Sequence, residues 1–231
     1  MLKVPSSDVR GRVRRAGFVA IAALCATALL AGTASASSIA AKKPKPKPPS
    51  SSSLKTIANS LKANENATFS ATYNVTTPSV KGPLSFAFAQ KSPNFQLIFK
   101  EAGISVTFVK LGSKAYGCEA TAAGSFCAAE TTSTVSSDLG FFEPGLVLPK
   151  IEAMESGATG VVTTSKTFAG QPSTCVSASY SGRKATYCVT NKGILSYAGA
   201  SGVSVTLVAY SSSPPASDFQ LPAGAKIESA P

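Results

Sequence analysis

Apolar and polar residues alternate with a period of two over four consecutive stretches between Phe69 and Phe108. In the first, Phe69, Ala71, Tyr73 and Val75 fall on one side, and Thr68, Ser70, Thr72 and Asn74 on the other. The rhythm returns with Leu84, Phe86 and Phe88, then Phe95, Leu97 and Phe99, then Ile104, Val106 and Phe108. That period predicts β-strands with one buried face and one wet face. Breaks at 78–83, 91–94 and 100–103 join the four strands as an antiparallel meander. Six of the chain's twelve Phe lie on its apolar face, so the rest of the fold must cover or fill that face.

Upstream, Leu54, Ile57, Ala58 and Leu61 recur at helical spacing over Ser53–Asn64, behind a serine able to cap the first turn. Downstream, the region from Ser136 to Gly157 loses the alternation. It carries Leu139, Phe141, Phe142, Leu146, Val147, Leu148, Ile151 and Met154, interrupted by Pro144, Gly145 and Pro149. Such a run is too irregular for a strand and too broken for one long helix, although 148–155 reads as a short one with Ile151 and Met154 on one face. An apolar segment with a Pro–Gly hinge suits either a fixed plug or a movable lid over the aromatic face. Strands resume at Val161–Thr164 and around Ser181-Gly182, then at Gly193–Tyr197 and through Val203, Val205 and Leu207. Phe168-Ala169-Gly170 marks a turn, and Asp218–Gly224 closes the chain as a docked edge strand or loop. The fold class expected is mainly β (α+β): a curved antiparallel half-barrel of about ten strands, with a few short helices on its concave face.

The N-terminal region changes the picture of charge. Basic residues at Lys3, Arg10, Arg12, Arg14 and Arg15 precede an apolar, Ala-rich run and the small-residue site Ala34-Ser35-Ala36, which reads as a signal peptide over 1–36 cleaved after Ala36. An uncleaved membrane anchor is the alternative. Leu30-Ala31-Gly32 is followed by Thr33 rather than cysteine, so no lipid anchor is expected. Residues 37–52 form a Lys/Pro/Ser-rich linker, and 53–231 a single domain. The formal charge of +11 resides largely in these leading segments: from Ser50 onward thirteen Lys or Arg face ten Asp or Glu. Basic residues gathered in a tail rather than on a folded surface argue against nucleic acid as partner. Lys42, Lys43, Lys45 and Lys47 alternate with proline as an extended spacer, or as an arm resting on a membrane surface or anionic wall polymers.

Four cysteines remain after cleavage: Cys118, Cys127, Cys175 and Cys188. An even count in an exported chain reads as disulfides. Three pairings are possible, and hairpin geometry favours one. Ser181-Gly182 sits midway between Cys175 and Cys188, so a two-residue turn there places them opposite each other. Cys118 and Cys127 flank Ala122-Ala123-Gly124 in the same way. Zinc is not expected, because the chain has no histidine and no C-x-x-C.

The absence of histidine also removes Ser-His-Asp and Cys-His catalysis. Two aspartates and eight glutamates are thinly spread over the mature chain, and no phosphate-cradling glycine motif occurs. The Ser52–Lys55 spacing arises from a serine run at a helix start. Catalytic residues, cofactors and metals are therefore all expected to be none, and the two Asn-x-Thr sequons at Asn66 and Asn74 are read as chance.

The order helix, meander, lid, hairpins resembles the LolA/LppX-like lipoprotein-carrier superfamily, which includes actinobacterial lipid-binding envelope proteins. The resemblance is carried by the helix running into Thr68-Phe69-Ser70-Ala71-Thr72-Tyr73, by Gly82-Pro83-Leu84-Ser85-Phe86 and by Pro93-Asn94-Phe95-Gln96-Leu97. Gly112-Ser113-Lys114-Ala115-Tyr116, Phe168-Ala169-Gly170 and Phe219-Gln220-Leu221-Pro222 complete it. It implies a half-open barrel that holds acyl chains on its concave face. The chain departs from the carriers in having no arginine between Arg15 and Arg183 to latch a lid, which argues against ATP-driven lipoprotein shuttling. The resulting expectation is a secreted, monomeric envelope protein binding a lipid or other acyl-chain ligand. Phe69, Tyr73, Phe86, Phe88, Leu97, Phe99, Val106 and Phe108 would line its cavity, and Phe141, Phe142, Leu146 and Leu148 its lid. The alternative is a sensor or protein-interaction module of the same fold with a filled core.

Overall fold

The computed structural model describes residues 52–101, 104–131, 142 and 144–228; the expected signal peptide and most of the Lys/Pro linker lie outside them. The described chain builds one curved, unclosed sheet of twelve strands. Strands β1 (Phe69–Thr76), β2 (Leu84–Lys91), β3 (Asn94–Glu101), β4 (Ile104–Leu111), β5 (Lys114–Thr121) and β6 (Gly124–Glu130) form a first meander. A second contains β7 (Thr159–Phe168), β8 (Gln171–Tyr180), β9 (Arg183–Thr190), β10 (Leu195–Ala200) and β11 (Val203–Ser211). Antiparallel pairing of β1 with β11 fuses the two, and a short β12 (Lys226–Glu228) lies parallel to β6 at the far edge.

The first four strands keep the faces expected from the alternation. Phe86 pairs with Phe99, and Phe88 with Leu97, so the aromatic residues form cross-strand ladders on one side. Tight turns set the registers. Ala169-Gly170 and Ser181-Gly182 both carry positive φ at their two central positions, the geometry that matches strand twist in a two-residue hairpin. Cys175 consequently lies opposite Cys188, and Cys118 opposite Cys127, and both pairs are disulfide-bonded. Between β1 and β11 the register slips after Thr72, leaving Val208 as the extra residue of a bulge and exposed.

Among the described residues two α-helices cover the aromatic face. Helix α1 (Ser52–Ala63) buries the expected stripe Leu54, Ile57, Ala58 and Leu61. Its last turn is closed by Asn64, whose Nδ2 donates to Ser60 O at 2.9 Å. Helix α2 (Pro144–Glu155) runs further towards the N-terminus than the 148–155 segment expected, passing straight through Pro149. Pro144 suits the first helical position, and Pro149 forfeits one main-chain bond early in the helix. Burial of Val147, Leu148, Ile151 and Met154 offsets that loss. The two helices pack on one another and share a single buried cluster with the sheet.

Candidate functional site

All eight side chains expected to line a cavity lie on the helix-covered face, and none is more than 8% exposed. They belong to one continuous cluster with both helices. Phe142 occupies its centre, with its ring 5.1 Å from that of Tyr73, 5.4 Å from Phe86 and 6.3 Å from Phe88. These are the separations at which aromatic rings attract. Of the other residues assigned to the lid, Leu148 is buried on α2, while Phe141 and the Leu146 side chain lie outside the described residues.

The polar atoms inside this cluster serve the scaffold. Tyr73 Oη donates to Leu195 O at 3.0 Å, tying β1 to the start of β10 beneath the helices. Burial pushes the Tyr73 phenol well above its ordinary value, so it stays neutral. Gln90 is buried at the end of β2 and donates through Nε2 to Glu65 O (2.5 Å) and Ala67 O (3.1 Å), pinning the link between α1 and β1. Its Oε1 accepts nothing.

An open groove of about 270 Å³ lies on the other face of the sheet, away from both helices. Sequence reasoning missed it. Its floor crosses four adjacent strands through Ala209 and Ser211 of β11, Ser70 and Thr72 of β1, Ala87 and Ala89 of β2, and Gln96 and Ile98 of β3. These are the outward positions of strands whose inward positions are aromatic, and nearly all of them are small. One wall is the C-terminal segment, which leaves β11 and crosses the outside of the sheet. There Ala216–Phe219 forms a 3₁₀ turn, Gln96 Nε2 donates to Gln220 O at 3.3 Å, and β12 docks on β6. Asp218 projects from this segment into the groove, and partial burial pushes its carboxyl above the usual value of 3.8. No cation is among the groove's lining residues. The signal that marks the site in the sequence is the run of Ser, Thr and Ala at alternate positions, which reads equally well as an ordinary wet face.

The described residues contain no cluster of three or more His, Cys, Asp or Glu able to hold a metal, and no helix long and apolar enough to cross a membrane. No protein-family model and no curated protein sequence matches the chain. Solved structures do. The fold is similar to that of part of MucB. The likeness to the crystal structure of MucB has a TM-score of 0.52 at 9% identity, covering 74% of this chain and 64% of that one. The Pseudomonas aeruginosa MucA/MucB complex gives 0.51 at 10%, covering 75% and 61%. LprF from Mycobacterium bovis is similar over 76% of this chain and 98% of its own, at 14% identity and a TM-score of 0.44. This chain therefore spans about three fifths of MucB's length. The half-barrel implied by the LolA/LppX-like resemblance is the architecture observed.

Proposed function

We propose that this protein is a non-catalytic, extracytoplasmic binding module whose ligand is another protein, the bowl of the half-barrel serving as its core. The observation that carries this reading is the occupancy of the concave face. Side chains that would wall an acyl-chain cavity are instead closed over by α1, α2 and Phe142. The low exposure of these side chains supports a packed core over a cavity open to an acyl chain. Two disulfides support a location outside the reducing cytoplasm. The fold is compatible with such a role, since a MucB structure of the same fold is a complex with MucA(peri).

A lipid reading has one observation on its side. Phe142 comes from the segment before α2 and not from the sheet, so withdrawal of that segment would vacate a slot between Tyr73, Phe86 and Phe88. One experiment separates the two. Protein isolated from its own envelope is analysed by native mass spectrometry, and the same preparation is used for affinity capture. Recovery of one stoichiometric protein with no acyl-chain adduct supports the protein-binding reading. A lipid bound one to one overturns it.

A further inference from the structure

We propose that the groove beside Asp218 receives a basic side chain, lysine or arginine, presented by an exposed segment of the protein partner. The proposal rests on the protein-binding reading above and names where and what that partner contacts. Size sets the class of occupant. The groove's volume of about 270 Å³ falls just below the roughly 300–1,000 Å³ of sites that enclose whole small molecules. It fits a side chain.

Polarity then selects which side chain. The groove offers acceptors: the Asp218 carboxylate, the hydroxyls of Ser70 and Thr72, and Gln96 Oε1, left over once Nε2 is spent on Gln220. It offers no formal positive charge in return. The half-exposed Asp218 carboxylate has no cation among the groove's described lining residues, and an ammonium or guanidinium group could donate to it. The alanines at 87, 89 and 209 keep the floor low enough for the aliphatic stem of such a side chain to lie across the strands. The site is also opposite in sign to the Lys/Pro arm, where Lys42, Lys43, Lys45 and Lys47 gather. A basic partner segment would be repelled by that arm and attracted here, which favours one register.

The test uses the full mature chain and two probes, Nα-acetyl-lysine methylamide and its uncharged counterpart Nα-acetyl-norleucine methylamide, followed by amide chemical shifts. The lysine probe should give saturable shifts at Ala87, Ala209 and Asp218, and the norleucine probe none. Asp218→Asn should weaken the lysine probe about tenfold. Ala87→Phe, which fills the floor from an exposed position, should abolish binding without touching the carboxylate. Both variants should fail to retain the envelope partner. Equal shifts with both probes, or no shifts with either, overturn the proposal. Retention of the partner by both variants also overturns it while leaving the protein-binding reading standing. Recovery of no protein partner at all defeats that reading itself. If the lysine probe binds only when Lys42, Lys43, Lys45 and Lys47 are changed to serine, the chain's own arm holds the groove and the partner assignment falls.

Discussion

Removing the Phe142 ring tests whether the bowl is a core. Phe142 is 5% exposed and its ring lies against those of Tyr73, Phe86 and Phe88. In Phe142→Ala the lost transfer energy and the void left behind should cost about 3–5 kcal/mol. Domains of this size are stable by about 5–15 kcal/mol, so the variant should surrender at least about a fifth of the total. Each kcal/mol corresponds to about 2–4 °C at this chain length, which places the melting temperature roughly 6–20 °C lower. Urea unfolding should show the midpoint falling with an unchanged slope, the sign that stability changed and not the extent of unfolding. The vacated space is walled by aromatic rings and should take up benzene, raising the variant's melting temperature and leaving the parent's untouched. A loss below about 1 kcal/mol would refute the argument, because a ring so placed and so cheaply removed is not part of a packed core.

Gly193→Ala should cost about 2–4 kcal/mol. Gly193 has φ +69°, and a Cβ there would run into Ser60 O and the Asn64 side chain at the end of α1, so strain and overlap add; equilibrium unfolding measures it. Tyr73→Phe removes the bond to Leu195 O and should cost about 1 kcal/mol at neutral pH. Its alkaline behaviour should differ in slope. Burial holds the Tyr73 phenol neutral when the unfolded chain ionises near 10.0, so the parent loses stability as pH rises past that value, and the variant should lose less. Replacing both Cys175 and Cys188 by alanine should lower stability by up to about 3 kcal/mol, the chain-entropy value for a loop of 13 residues, read as the shift in urea midpoint.

What the sequence reveals here depends on the range over which each signal acts. Alternation at Phe69–Val75 and Phe95–Phe99 fixes strand faces locally, and the meander follows because its links are short. Ser181-Gly182 fixes a turn, the turn fixes a register, and the register places Cys175 opposite Cys188. The extent of α2 is less legible. Pro149 signals a break, yet burial of Val147 and Ile151 against α1 and the sheet outweighs one missing hydrogen bond. Whether the aromatic face is hollow or filled cannot be read from Phe86 and Phe88 themselves. It depends on where Phe142 arrives, and Phe142 lies in a stretch without periodicity. The groove on the outer face is hidden for a related reason. Ala209 joins Ser70 and Ala87 only through the β1–β11 pairing, and Asp218 reaches them only through the path of the C-terminal segment.

That β1–β11 pairing joins Ser70 to Ser211 and Thr76 to Ser204, partners more than half the chain length apart. Every other antiparallel neighbour in the sheet follows its partner through a local link, so the two meanders can assemble independently while their shared seam waits for the last long strand. A molecule cut short before Val203 would present the whole outer edge of β1, Phe69 and Tyr73 included, to any other strand that passed. Nascent chains of this protein thus have a defined window of vulnerability, which closes only when β11 has arrived.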